Sequence, residues 1–432
     1  MRVINASDIN ESNIGDIILR SYEQIESIKG DVEEILKNVR DNGDQAIIDY
    51  AKKFDQVQLN KEDLLVKTEE LEEAYKEVNP ELIDALKFAL RNITKFHEAQ
   101  KREMWFLEVE KGVNAGQIYR PIEQIGLYIP GGRAAYPSTV LMAAGPAKVA
   151  GVKSMVMCSP PNRDKKINPA ILVAASECGV KTIYKIGGAQ AIAAMAFGTE
   201  TVSKVYKIFG PGNKWVNAAK KLLSNIVAID NPAGPSEILI IADDSTNFEY
   251  AIADLVSQVE HDPENIGIVV STSEELINQI QENIDNYVRD SERANIISKA
   301  LKERGLLIKV KDIEQSVAVS NLIAPEHLEI LTRNPREILD KISNAGAIFL
   351  GENTPVPLGD YSAGTNHILP TGGTAKMYSG LNIFEFLKII DVLECDEKGL
   401  KKLAESTGII AKFEGLDAHK KAVELRLKKK EK

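Results

Sequence analysis

The sequence predicts an α/β protein with two Rossmann-like, doubly wound domains that face each other across a cleft. Two observations predict this fold class. Short β-rich runs such as IGLYIP, SMVMCSP, TIYKIG and KVYKIFG alternate with Ala-rich segments of helical length from residue 117 onward. ILIIAD, IGIVVST and GAIFLG continue the alternation further along the chain. Strands that alternate with helices need crossover connections and therefore form parallel sheets.

The segments that flank the two α/β domains have a different residue pattern. Before residue 110 the chain is charged and its apolar residues recur at spacings of three and four, as in DVEEILKNVRDNGDQAIIDYAKKF, which predicts helices. After residue 380 the sequence predicts a helical tail, which is too short to form a hydrophobic core of its own and must therefore pack against another part of the protein or a partner. The predicted domains are a helical region at 1–116, a first α/β domain at 117–235, a second at 236–380 and a helical tail at 381–432.

The composition excludes several classes of protein. A formal net charge of −10 without a long basic stretch argues against a nucleic-acid partner. The amino end, MRVINASDINESNI, is polar and acidic, and no apolar run reaches the roughly 18 residues of a membrane span, so neither export nor membrane insertion is expected. Cys158, Cys178 and Cys395 show no CxxC spacing, which excludes a disulfide framework and a cysteine-based zinc site and indicates a reducing cytoplasm.

Three glycine-bearing turns follow predicted strands: YIPGGRAAYPSTV, KIGGAQAIAAMAFG and IFGPGNKWVNAAKK. Glycine lets backbone amides approach a phosphate, and the start of a helix adds positive potential there. None is a full GxGxxG, because Trp215 stands at the third glycine position after Gly210 and Gly212. Each turn alone also fits an ordinary connection between a strand and a helix, but three in one domain favour ligand binding.

Gln258 and His261 lie three residues apart in AIADLVSQVEHDP, so on a helix they share one face. The carboxamide oxygen and the imidazole can then reach a single point, which suits a metal ion. The same pair also fits the polar end of a helix that Asp262 and Pro263 terminate. Both interpretations stay open on this motif alone.

Glu326 and His327 follow Pro325, a residue favoured at the first position of a helix. A helix start favours an anion and disfavours imidazolium, which predicts a charged Glu326 and a neutral His327. A neutral histidine can act as a base. The alternative is an exposed, purely polar helix start.

The remaining histidines have structural interpretations of their own. His367 adjoins apolar Ile368 and Leu369 and is expected to be a hydrogen-bonded structural residue. His419 falls on the predicted buried face of an amphipathic tail helix, as a core residue or as a ligand. His97, in a strongly charged helix, is expected on the surface.

Asp360 supplies a hard oxygen ligand from the irregular segment LGDYSAGTNHILPTGG, which predicts a loop. If Asp360 converges with Gln258, His261 and His419, the site has two nitrogen and two oxygen donors. Such a set suits zinc or manganese with positions left for a substrate. Glu326 and His327 would then be the acid and base beside it.

Seven ordered stretches resemble the histidinol dehydrogenase family: YIPGGRAAYPSTVLMAAGPAKVAGV, FGPGNKWVNAAK, IDNPAGPSEILIIAD, SQVEHDP, APEHLEIL, GDYSAGTNHILPTGG and EGLDAH. The resemblance covers most of the chain and implies an aldehyde-dehydrogenase-like architecture, with NAD on the first α/β domain and metal and substrate on the second. It implies zinc ligands Gln258, His261, Asp360 and His419, the last from the neighbouring subunit of a homodimer through an exchanged tail. It implies Glu326 and His327 as the catalytic pair, Ser236, Glu414 and His327 as substrate contacts, and Tyr128, Gln190 and Asn213 in the NAD site.

The implied activity is a zinc-dependent oxidation of L-histidinol to L-histidine through L-histidinaldehyde with two NAD, the last steps of histidine biosynthesis. Trp215 and Asn231 depart from the family's usual tyrosine and methionine, and each adjoins but does not replace a residue that carries chemistry. A metal-dependent hydrolase and a non-catalytic binding protein are the competing classes. A cysteine nucleophile is the competing mechanism, but Cys158 ends the apolar run SMVMC and is expected inside a buried strand.

Overall fold

The structure, a computed structural model, describes residues 1–18, 24–131, 135–231 and 234–428. The chain divides into two compact units, one of Met1–Ala99 with Glu123–Glu385 and one of Gln100–Ile122 with Phe386–Lys432. Part of the first predicted glycine turn (132–134) and two residues of the IDNPAGPSE motif (232–233) lie outside the described residues.

The described residues form strands and α-helices in alternation through most of the first unit. The strands are β1 (Arg2–Asn5), β2 (Trp105–Glu110), β3 (Val113–Pro121), β4 (Gln124–Tyr128), β5 (Ser154–Ser159), β6 (Thr182–Lys185), β7 (Lys207–Phe209), β8 (Ala228–Ile229), β9 (Glu237–Ala242), β10 (Ile266–Ser271), β11 (Gly305–Lys309), β12 (His327–Leu331), β13 (Ala347–Leu350) and β14 (Leu387–Cys395). The helices are α1 (Ile14–Ile17), α2 (Gln24–Tyr50), α3 (Thr68–Glu77), α4 (Pro80–Glu98), α5 (Pro137–Ala150), α6 (Pro169–Cys178), α7 (Gly188–Phe197), α8 (Lys214–Leu223), α9 (Phe248–Val259), α10 (Glu274–Arg289), α11 (Ala294–Arg304), α12 (Ile313–Ile323), α13 (Val356–Tyr361), α14 (Glu397–Phe413) and α15 (Asp417–Leu427).

The first unit contains two parallel, doubly wound sheets, as the alternating pattern predicted. The five-stranded sheet has the order β6-β5-β4-β7-β8 and the six-stranded sheet the order β1-β11-β10-β9-β12-β13. In each sheet the chain moves outward from a central strand, β4 or β9, and then returns to continue on the other side. Ligands of open α/β sheets bind at such switch points, outside the carboxyl ends of the strands.

Helices cover the five-stranded sheet, so its strands β4, β5, β6 and β7 are largely buried. Helices α2, α7 and α8 pack together over one face, and their core includes Ile35, Ala193 and Val216, each at most 5% exposed. A short π-helix, Ala51–Asp55, continues α2. This packing brings the charged amino-terminal region, far away in sequence, against the sheet that carries the glycine turns.

The amino-terminal and tail segments are less helical than their periodicity predicted. Arg2–Asn5 forms an edge strand that pairs in parallel with Leu306–Lys309. In the second unit, β14, β3 and β2 form a three-stranded antiparallel sheet, followed by α14 and α15. Strand pairing of this kind joins segments that are remote in sequence, so local apolar spacing does not reveal it. Among the described residues, none of the helices combines the length and the apolar character needed to cross a bilayer.

Candidate active site

A cavity of about 310 Å³ lies in the first unit, where the carboxyl ends of the five-stranded sheet meet the amino edge of the six-stranded sheet. Pro130 and Pro211, which follow β4 and β7, form one side. Six of the residues to which the family resemblance gives a catalytic, metal or substrate role line the cavity: Ser236, Gln258, His261, Glu326, His327 and Asp360.

Glu326 and His327 lie at the beginning of β12, so the predicted helix start is wrong. Ala324 ends α12 in the left-handed conformation, and His327 then pairs with Ile238 of β9 and Ala347 of β13. The run HLEIL is buried along its whole length between two neighbouring strands. Pairing on both sides satisfies its backbone, which outweighs the helix-starting preference of Pro325.

The peptide groups of Glu237 hold both members of the pair. The Glu237 N–H donates to Oε2 of Glu326 at 2.9 Å, and Nδ1 of His327 lies 3.2 Å from the Glu237 carbonyl oxygen. A carbonyl oxygen only accepts, so Nδ1 carries the hydrogen. The other ring nitrogen, Nε2, lies 3.4 Å from Oδ1 of Asp360 and is the proton-accepting atom of the neutral ring.

The charge states of this pair differ from the sequence expectation. Burial raises the pKa of Glu326 to about 8, with the charge of His327 opposing the rise. Burial also acts to lower the pKa of His327, but the nearby Glu326 and Asp360 carboxylates outweigh it and raise the pKa to about 9. A carboxylate cluster, rather than a helix end, surrounds the ring, so without a ligand His327 holds a proton at neutral pH.

Asp360 lies in the short helix α13 and not in the predicted loop. Its Oδ2 accepts a hydrogen bond from Nε2 of Gln258 at 3.2 Å, and its carbonyl oxygen lies 2.8 Å from Nδ1 of His367. Burial acts to raise the pKa of Asp360, but interactions with His327, His367 and Gln258 outweigh it and lower the pKa. The predicted hydrogen bonding of His367 is confirmed, and its ring also lines the cavity.

Gln258 and His261 occupy the end of α9 and face the same cavity. Gln258 is 4% exposed, whereas His261 follows the helix and is exposed. Nδ2 of Asn265 donates to the Gln258 carbonyl at 2.8 Å, and its Oδ1 accepts from the Ser236 N–H at 3.0 Å. A residue not singled out in the sequence thus fixes two elements of the site. The described residues contain no group of three or more His, Cys, Asp or Glu side chains that could together hold a metal ion.

Two further predictions about histidines are wrong. His97 is fully buried rather than on the surface, and its Nδ1 lies 2.8 Å from the Ile93 carbonyl oxygen. His419 lies on α15 in the second unit and is exposed in the single chain, where the amphipathic pattern predicted a buried face. Glu414 follows α14 in the same unit and is also exposed.

A second cavity, of about 500 Å³, lies at the carboxyl ends of the five-stranded sheet. Tyr128, Gln190 and Asn213 line it, as do Asp55 and Trp215. Oη of Tyr128 accepts the Gly188 N–H at 3.1 Å. Oδ1 of Asn213 accepts the first free N–H groups of α8, from Trp215 at 3.0 Å and from Val216 at 3.2 Å, which leaves its amide nitrogen available as a donor.

Comparison with known proteins covers nearly the whole chain. The family model for histidinol dehydrogenase matches residues 18–427. The chain is 45% identical over 426 residues to the histidinol dehydrogenase of Methanothermobacter thermautotrophicus, which covers 99% of this chain and 100% of that protein. It is 49% identical over 413 residues to the enzyme of Methanocaldococcus jannaschii, with 95% of each chain covered. The chain belongs to the histidinol dehydrogenase family.

A solved structure of the histidinol dehydrogenase family has the same fold. The crystal structure of histidinol dehydrogenase from Elizabethkingia anophelis matches with a TM-score of 0.95 at 42% identity, covering 99% of this chain and 98% of that one. Membership of this family makes the chain an oxidoreductase.

The histidinol dehydrogenase motif FGPGNKWVNAAK contains a buried clamp that sequence reasoning missed. The Gly210 N–H donates to Oδ2 of Asp230 at 2.6 Å, and Nζ of Lys220 donates to the Gly210 carbonyl at 3.0 Å and to Oδ1 of Asp230. Gly210 has φ of +120°, and a Cβ there would lie 2.0 Å from the Tyr128 carbonyl oxygen, so only glycine fits. The buried lysine in WVNAAKK was the available signal, because its spacing places it on the apolar face of α8.

Proposed function

We propose that the chain is a zinc-dependent histidinol dehydrogenase that oxidises L-histidinol to L-histidine through L-histidinaldehyde with two NAD. These are the last steps of histidine biosynthesis. The observation that carries the proposal is the geometry of His327, whose Nδ1 is anchored on the Glu237 carbonyl while Nε2 faces the cavity beside Asp360. The ring is thereby oriented as a base toward a substrate in the cavity.

In the first half-reaction, the neutral form of His327, with hydrogen on Nδ1 only, accepts the hydroxyl proton of histidinol on Nε2. Its Nδ1–H hydrogen bond to Glu237 keeps the ring in one orientation and fixes which nitrogen accepts. NAD, when bound, takes the hydride from the same carbon, so the alcohol becomes an aldehyde. His327 then releases its proton before the second oxidation.

In the second half-reaction, Glu326 takes a proton from a water molecule that adds to the aldehyde. Glu326 is 6% exposed and lines the cavity, and its Oε2 is held by the Glu237 N–H at 2.9 Å. Burial raises its pKa to about 8, so the ionised form that takes the proton, which predominates above that pH, is a stronger base than the carboxylate of an exposed glutamate. His327 accepts the hydroxyl proton of the resulting hydrate, and transfer of its hydride to a second NAD gives the carboxylate of histidine.

The donor chemistry of the cavity fits a metal ion. Gln258, His261 and Asp360 bring a carboxamide, an imidazole and a carboxylate to one cavity, a mixed set that suits zinc or manganese. Turning the Gln258 carboxamide by half a turn presents its oxygen in place of its nitrogen. Gln258, His261 and Asp360 would hold the zinc, which would supply a Lewis acid that orients histidinol, and Ser236 lies at the same cavity wall to contact the substrate.

The second cavity fits NAD. Tyr128, Gln190 and Asn213 line it at the carboxyl edge of a doubly wound sheet, where α7 and α8 begin. The starts of α7 and α8 supply positive potential for a pyrophosphate, and the side-chain amide nitrogen of Asn213 is available as a donor. This arrangement explains how the chain can bind a dinucleotide without the GxGxxG sequence.

The fourth ligand, His419, and the substrate contact Glu414 are assigned to the neighbouring subunit of a homodimer. Apolar exposure on α14 supports such an assembly, because Phe413 is 93% exposed and Ile409 and Ile410 are each more than half exposed at 62% and 58%. Contiguous apolar surface of this kind is typical of protein interfaces. Burial of this surface against a second copy would remove it from water.

One assay tests the proposal against a metal-dependent hydrolase and a non-catalytic binding protein. NADH absorbance is followed with histidinol and NAD, with and without a chelator, and the NADH formed per histidinol is counted. Two NADH per histidinol, lost with chelator and restored by zinc, support the four-electron reaction. Absence of histidinol-dependent NADH formation from the metal-loaded protein contradicts it.

A further inference from the structure

Asp55 is a carboxylate in the second cavity to which the proposed chemistry gives no role. It is the last residue of the π-helix Ala51–Asp55, and its side chain lines the cavity together with Phe54. Its Oδ2 atom is buried without a hydrogen-bond partner among the described residues. Burial raises the pKa of Asp55 to about 6. A partly buried carboxylate without a partner costs folding free energy, which a ligand that donates hydrogen bonds would recover.

The two cavities meet at two turns, and this fixes the direction in which a dinucleotide lies. Pro130 and Gly131 are consecutive, as are Gly212 and Asn213. The first residue of each pair lines the active-site cavity, and the second lines the second cavity, called the NAD cavity below because NAD is proposed to bind there. The nicotinamide must reach the active-site cavity to take a hydride, so it lies at these shared turns. Asp55 belongs to none of these turns and lines only the NAD cavity.

The residues around Asp55 suit the adenosine half of the dinucleotide. Ile35, Phe54 and the consecutive Pro160 and Pro161 give that cavity apolar walls, onto which a flat base can pack. A ribose attached to such a base presents two neighbouring hydroxyl groups. A carboxylate accepts hydrogen bonds from both, and it repels a phosphate esterified to either.

We propose that Asp55 accepts hydrogen bonds from the ribose hydroxyls of the adenosine half of NAD and thereby selects NAD over its 2′-phosphorylated form, NADP. The inference rests on the proposed use of a nicotinamide dinucleotide by this protein. In sheets with the GxGxxG turn, an acidic residue about 20 positions later has this role. Here the acid comes from a helix that precedes the whole sheet in sequence.

The test compares Asp55→Asn with the wild-type, metal-loaded protein. The amide keeps the size of the carboxylate but loses its charge and its second acceptor oxygen. We expect kcat/KM for NAD to fall about tenfold or more, in line with the loss of a hydrogen bond to a charged group. We expect kcat/KM for NADP to stay unchanged or rise, while KM for histidinol and the bound zinc content stay as in the wild type.

Asp49→Asn is the matched control, because Asp49 is an exposed carboxylate on the preceding α2 that accepts a hydrogen bond from Gln45 at 2.9 Å. It should leave the ratio of the two kcat/KM values as in the wild type. Calorimetric titration of Asp55→Asn and Asp55→Ser with NAD and with adenosine diphosphate ribose measures the same effect without turnover. Weaker binding of both ligands to both variants supports the proposal.

An unchanged NAD to NADP preference in Asp55→Asn, or unchanged binding in both titrations, overturns the role of Asp55. Such a result leaves the proposed function intact if the wild type still forms NADH from histidinol. Absence of NADH formation by the wild type would instead refute the proposed function. The two failures are therefore distinguishable.

Discussion

Nε2 of His327 lies 3.4 Å from Oδ1 of Asp360, across a cavity wall formed by β12 and α13. The two residues are brought together because β12 starts and α13 ends at the same edge of the six-stranded sheet. One is the proposed base and the other a proposed metal ligand. This proximity would couple metal binding to proton transfer, since a cation at Asp360 would weaken the hold of the carboxylate on the His327 proton.

Replacing His327 by asparagine should abolish the base while keeping a polar group beside the Glu237 carbonyl. We expect kcat for histidinol oxidation to fall by about 10² to 10⁴, the usual contribution of a general base. The dissociation constant for histidinol should change only a few-fold. Stopped-flow NADH formation and equilibrium titration measure the two quantities. A kcat within tenfold of the wild type would remove His327 from the mechanism.

Glu326→Gln should impair the second oxidation more than the first. The amide cannot take a proton from water, so hydration of the aldehyde slows by about 10² or more, whereas His327 still serves the alcohol step. A rapid-mixing experiment with histidinol should then show one NADH formed quickly and the second slowly. Equal slowing of both phases would contradict the assignment of Glu326 to water activation.

Cys158→Ala should retain both half-reactions. Cys158 is fully buried in β5, as the sequence predicted, and burial raises the pKa of its thiol far above the usual range. A protonated, buried thiol is not a nucleophile. Cys178→Ala is the matched control, because Cys178 is equally buried and burial raises its pKa to about 12. Selective loss of aldehyde oxidation in Cys158→Ala alone would favour a thiol mechanism over the proposed one.

Lys220→Met should destabilise the fold. Lys220 is 1% exposed and pairs with Asp230, which is 7% exposed, so the substitution leaves a buried carboxylate without its cation. We expect the free energy of unfolding to fall by about 3–5 kcal/mol in denaturant titrations. Lys221→Met, at the neighbouring exposed position, should stay within about 0.5 kcal/mol of the wild type. Equal effects of the two substitutions would show that the clamp contributes nothing specific.

Mixing two inactive variants tests whether sites are shared between subunits. In a dimer of His261→Asn and His419→Asn chains, one of the two shared sites carries both substitutions and the other carries neither. Random exchange in an equal mixture should therefore restore about a quarter of the wild-type activity. Subunit exchange is verified with differently tagged chains. Proven exchange with no recovered activity would place His419 in the site of its own chain.

The amino-acid sequence predicted those features that depend on local spacing. The alternation of β-rich runs with Ala-rich segments specified two parallel, doubly wound sheets, because buried strands and covering helices each impose their own apolar period. The spacing of Gln258 and His261 placed both on one side of a helix end, and both line the cavity. The burial of Cys158 followed from the apolar run around it.

Only the tertiary structure decided which residues face one another and how each is charged. His327 became a strand residue because β9 and β13 pair on both sides of it, and the neighbouring Glu326 and Asp360 carboxylates raise the pKa of its ring. The pairing of Lys220 with Asp230, and the position of Asp55 in the second cavity, could not be predicted for the same reason. The burial of a residue and the charges around it depend on residues that are distant along the chain. A sequence pattern depends only on residues within the same helix or strand.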